Sequence, residues 1–144
     1  MAITQAMATS FKVGILDGEF DFGSGTSQVF KIALFTSAAT LGAATTAYST
    51  SDEVVGAGYT AGGNTLVVSQ VPTSTGTTAF LDFSDTTWTT ATITARGALI
   101  YLANGGTNPA VAVLDFGSDK TSTAGNFTIQ FPAADATNAI LRIA

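Results

Sequence analysis

The sequence contains no histidine and no cysteine. That removes the imidazole bases, the thiolate nucleophiles and the soft metal ligands from which most active sites are built. Carboxylates are the main chemistry-bearing groups left. Asp82 and Asp115 lie within two similar segments, Ala79-Phe80-Leu81-Asp82-Phe83 and Ala112-Val113-Leu114-Asp115-Phe116, and Asp85 and Asp119 follow them. Placed side by side they would offer hard oxygens to calcium, which takes about six to eight ligands. Asp also commonly closes turns after strands, and this simpler role fits all four. Glu19 and Glu53 are the only glutamates. Neither sits in a context that would pair it with a second carboxylate across a glycosidic bond.

The short motifs lose their meaning in context. Asp115-Phe116-Gly117 spells the metal-binding triplet of protein kinases, but a kinase catalytic loop needs a histidine. Gly56-Ala57-Gly58-Tyr59-Thr60-Ala61 fits a loose dinucleotide fingerprint, but Gly62-Gly63-Asn64 and a β-type run follow where a helix is required. Asn126-Phe127-Thr128 matches a glycosylation acceptor, which has no weight without a secretory signal. The residues therefore predict no enzyme, no catalytic residue, no cofactor and no metal.

The elements that would position these groups are mostly strands. Ile3, Met7, Phe11 and Ile15 recur every fourth residue, predicting a helical segment or arm over residues 2–16 that ends at Asp17-Gly18. From Val29 the apolar period becomes two. Strands are predicted at 29–35, 64–71 (stopped by Pro72), 78–83, 88–103 (one long strand, or two broken at Arg96-Gly97), 110–116, 126–131 and 138–143, with a loop at 118–125. Between them, residues 37–59 form an Ala- and Thr-rich excursion, with one short helix expected near Asp52-Glu53-Val54-Val55. About seven to nine short strands with regular turns point to an all-β domain. The expected fold is mainly β, an antiparallel β-sandwich or jelly roll with one N-terminal helix, as a single domain over 1–144.

Composition narrows the partners. Only 10% of the residues are charged, against an ordinary fraction of about 25%. Lys12, Lys31, Arg96, Lys120 and Arg142 are the only cations and are scattered, and the net charge is −5. No basic patch exists for phosphates, so neither nucleic acid nor an anionic membrane is an expected partner. The first residues lack the basic and apolar regions of a signal peptide. An uncharged Thr/Ser/Asn/Gly surface is poorly protected against association, which predicts contact with other protein.

Several stretches resemble a family of small virion structural proteins of tailed bacteriophages. They are Ala2-Ile3-Thr4-Gln5-Ala6-Met7 with Thr9-Ser10-Phe11-Lys12, Lys31-Ile32-Ala33-Leu34-Phe35-Thr36-Ser37, and Thr40-Leu41-Gly42-Ala43 running to Thr46-Ala47-Tyr48. Gly58-Tyr59-Thr60-Ala61-Gly62-Gly63, Trp88-Thr89 through Ile93-Thr94-Ala95-Arg96-Gly97-Ala98-Leu99-Ile100-Tyr101, and Ala112-Val113-Leu114-Asp115-Phe116-Gly117-Ser118-Asp119-Lys120 complete the resemblance. It implies a location in the phage particle. The expected role is capsid decoration, or cement, on the head surface. The expected partners are the major capsid protein and further copies of the chain, as a dimer or trimer. A tail or baseplate component and a host-receptor or carbohydrate-binding module are the alternatives. Ile3, Met7, Phe11 and Ile15, with Trp88, are the candidate interface residues, because an apolar stripe and a tryptophan each need covering; packing of the stripe on its own domain, and of Trp88 in the core or at its rim, are equally open alternatives.

Overall fold

The computed structural model describes residues 2–144; Met1, the first residue of the expected domain, lies outside them. Eight strands and one helix follow in the order β1 (Ala6–Met7), α1 (Thr9–Leu16), β2 (Phe30–Phe35), β3 (Asn64–Thr65), β4 (Val68–Thr75), β5 (Thr78–Phe83), β6 (Thr86–Leu102), β7 (Ala110–Ile129) and β8 (Leu141–Ile143). The protein is mainly β, and its sheets are antiparallel. One sheet has the order β1-β7-β6-β2-β3 and the other β4-β5-β8.

The centre of the larger sheet forms where the sequence is most continuously apolar. Ile32 lies opposite Ile100, and Leu99 opposite Val113. Residues of β2, the end of β6 and the start of β7 are buried almost without interruption. Unbroken apolar runs are what a strand covered on both faces requires. On one side Phe22 stacks on Phe30 with centroids 4.3 Å apart, and Phe83 of β5 joins them at 6.2 and 6.4 Å. On the other, Tyr48 of the excursion stacks on Tyr101 at 4.5 Å. The core thus binds both sheets, the helix and the excursion into one body.

Four local expectations are corrected. The helix begins only at Thr9: Ile3 bridges Leu41, and Ala6 and Met7 pair with Val113 and Ala112. Thr9, Ser10 and Gly14 are weak helix formers, and the extended segment before them satisfies its backbone on Leu41 (Ile3 and Thr4) and on the edge of β7 (Ala6 and Met7). The helix stops as expected, with Gly18 at φ +74°. No helix forms near Asp52; that residue has φ +61°, and Glu53 bridges Phe35 instead. Pro72 does not stop β4, which runs on to Thr75 as an edge strand, where the missing N–H is tolerated. Residues 118–125 are not a loop but the middle of β7, kept on β6 by register shifts.

Candidate functional site

The five candidate interface residues do not share a surface. Phe11 is 2% exposed and packs edge-on to Phe20, with centroids 4.7 Å apart. Trp88 is 4% exposed, between Tyr59 at 5.8 Å and Phe127 at 6.2 Å. Ile3 is also buried, and its side chain fills the space a Cβ at Gly97 would need. These three belong to the core of their own chain, so they cannot anchor a partner. The expected helical stripe does not form, because Ile3 and Met7 lie in the extended segment, and the chain's own core covers Ile3 and Phe11. Met7 and Ile15 remain half-buried. With Phe11, Phe20, Val71, Leu81, Leu141 and Ile143 they line an open groove of about 440 Å³ between the N-terminal segment and the smaller sheet.

The most organised polar group is one that sequence reading passed over. Glu53 is 7% exposed, the one buried charged residue among those described. The Tyr48 hydroxyl donates to Glu53 Oε2 at 2.7 Å. The Tyr59 hydroxyl donates to Oε1 at 2.6 Å, and the Gly62 N–H donates to the same oxygen at 2.8 Å. Tyr59 in turn accepts the Leu34 N–H at 2.9 Å, and Tyr101 donates to the Gly62 carbonyl at 2.7 Å. The carboxylate thus gathers Tyr48, Tyr59 and Gly62, and Tyr59 and Gly62 in turn bond Leu34 of β2 and Tyr101 of β6. A buried charge is tolerated only when such donors replace its water.

Local sequence explains the geometry. Gly63 has φ +76°, and a Cβ there would overlap the Ile32 carbonyl. Only glycine lets the chain pass this close to β2 and turn the Gly62 amide toward Glu53. Burial, reinforced by hydrogen bonding to Glu53, pushes the phenols of Tyr48 and Tyr59 far above the usual tyrosine range. Burial, then the charge of Glu53, pushes Tyr101 up to about 12. Phenols held neutral donate well and abstract no protons near neutral pH. All three phenols donate within the fold. The detectable signal was a lone Glu in an Ala/Thr excursion, with Tyr48 and Tyr59 five and six residues to either side.

The aspartates do not converge. Asp82 lies on β5 and Asp115 on β7, in different sheets. Among the described residues no group of three or more Asp or Glu is placed to hold a metal ion. Burial raises the Asp82 carboxyl above its usual range, with the Asp85 charge adding to the effect. Asp115 accepts the Gly117 N–H at 2.9 Å and meets Arg96 at 3.3 Å; the amide first, then the guanidinium, hold its carboxyl below the usual range.

The remaining openings are lined mostly by apolar and uncharged groups, with Asp52, Arg142 and the pair Asp115 and Lys120 as charged exceptions. A second groove, of about 510 Å³, runs beside β7 past Phe116, Phe127, Ile129 and Phe131. Val13, Leu16, Val55, Val67, Val71 and Ile143 are exposed large apolar side chains. No helix among the described residues is long and apolar enough to cross a membrane. No protein-family model, curated protein or solved structure matches the chain.

Proposed function

We propose that this chain is a non-enzymatic virion structural protein of a tailed phage, decorating the head shell and cementing its subunits. Its partners in this reading are the major capsid protein and copies of itself. The observation that carries the reading is the set of exposed apolar side chains beside open apolar grooves, on a surface with little charge. Such surface costs solubility unless another protein covers it. The buried carboxylate, by contrast, is fully engaged in holding the fold. We read the two sheets as faces of a β-sandwich; five strands against three suit that better than a jelly roll. Many copies on one lattice add contacts that are effectively intramolecular, so individually weak grooves are enough.

The test is a heat-challenge comparison of particles with and without the protein. Loss of infectivity and release of genome at lower temperature are expected from particles that lack it. Equal resistance of the two particles would remove the cement role.

A further inference from the structure

The outer face of α1 carries a self-complementary pattern. Its exposed residues are Thr9, Lys12, Val13 and Leu16, followed by Asp17 at the C-cap. Leu16 is 88% exposed and Val13 is 55% exposed, although the rest of the helix is anchored by buried Phe11. Val13 and Leu16 are three apart and so lie on one face. Lys12 and Asp17 flank them, one at each end, and neither forms an ion pair among the described residues. Asp17 also sits at the helix C-terminus, where the helix dipole disfavours a carboxylate and no basic residue compensates.

We infer that a second copy of this chain packs its α1 antiparallel against this face, about a twofold axis between Gly14 and Ile15. This deepens the assembly reading above, on which it rests for its purpose, by naming the surface and its occupant. In that arrangement Val13 meets Leu16 of the other copy, and Lys12 meets Asp17. Each contact occurs twice, as an isologous interface requires. The carboxylate at the end of each helix gains a cation, and the two most solvent-exposed apolar side chains of the helix are covered together. The register is fixed by charge: shifting it by one turn leaves both ions facing apolar groups. Half-buried Ile15 and Phe20 widen the patch toward the 440 Å³ groove. A contact this small falls in the transient class, below about 1,200 Å² of buried surface. It therefore matters at the high local concentration of a particle lattice.

Sedimentation velocity of the full chain, from about 10 µM to about 1 mM, reads the equilibrium directly. The wild type is expected to pass from monomer to dimer across that range. Leu16→Ser should abolish the dimer. Lys12→Asp or Asp17→Lys alone places like charges opposite each other and should weaken it at least about tenfold. The double variant Lys12→Asp/Asp17→Lys should restore it. All three substituted positions are exposed, and an unchanged melting temperature verifies that each variant folds. A monomer at the highest concentration overturns the inference. So does a dimer indifferent to Leu16→Ser, or a double variant no stronger than the single ones. Binding of the same variants to capsids is scored separately. Capsid attachment by a strictly monomeric protein removes the pairing and leaves the decoration role. A dimer that is absent from particles does the reverse.

Discussion

Replacing Glu53 by Gln tests whether one buried carboxylate holds the excursion to the sheet. The substitution keeps shape and volume but removes the charge. Two donors, the Tyr59 hydroxyl and the Gly62 N–H, converge on Oε1 at 2.6 and 2.8 Å. The amide oxygen should take that position. The new amide N–H₂ then faces the Tyr48 hydroxyl, which must turn from donor to acceptor. Three hydrogen bonds to a charged acceptor, worth about 1.5–3 kcal/mol each, become neutral bonds worth about 0.5–1.5. The difference is about 1 kcal/mol per bond. Tyr48 is half-buried and keeps some access to water, so the expected loss is about 2–3 kcal/mol. At this chain length that lowers the melting temperature by roughly 5–10 °C. Thermal unfolding followed by circular dichroism, with urea melts as the second measurement, reads the effect. Relief from burying a charge acts in the opposite direction. A Gln variant that melts within about 1 °C of the wild type, or above it, would show that this relief cancels the bonds. The clasp would then be dispensable.

The same cluster sets a pH limit. Tyr48, Tyr59 and Tyr101 are all raised above the ordinary value of about 10, so folding favours their protonated forms. That stability is complete below pH 10, falls above it as the unfolded phenols ionise, and is gone once pH has risen through the folded values, of which Tyr101 is the first, near 12. Alkaline titration of tyrosinate absorbance should show delayed ionisation ending in cooperative unfolding, and three ordinary titrations would contradict it. Gly63→Ala should cost more than about 3 kcal/mol or prevent folding, because the added carbon meets the Ile32 carbonyl. Gly76→Asn should stay within about 1 kcal/mol, since φ is +61° in open space; urea melts compare the two. Deleting residues 2–16 should unfold the protein rather than free an arm, because Ile3, Ala8 and Phe11 are core residues. A truncated chain with a native near-ultraviolet spectrum would refute that.

What was legible in the sequence was short-range. β5 was read to the residue, and β2 nearly so, because their apolar runs leave one choice of conformation. The stripe Ile3, Met7, Phe11, Ile15 fits a helix, yet Ile3 and Met7 fit an extended chain equally well. Pairing with Leu41 and with β7, more than thirty residues away, decided it. The polar run 118–125 resembles a loop by composition. It stays in β7 because β6 opposite it carries Ile93 and Ala95 toward the core and tolerates bulges. Trp88 left core and interface equally open, and only the packing of Tyr59 and Phe127 around it chooses. The Glu53 clasp was illegible for the same reason. Its donors are brought together by a turn at Gly62 and Gly63 that depends on the close approach to β2, not on any local motif.

On the proposed reading, the most direct measurement is a cryo-electron-microscopy reconstruction of particles of a tailed phage whose genome encodes this chain, with mass spectrometry of their proteins. Density for the two-sheet body is expected on the outer face of the head, seated across seams between capsid subunits. Density at the tail would contradict decoration, and absence of the chain from the finished particle would contradict the virion reading altogether.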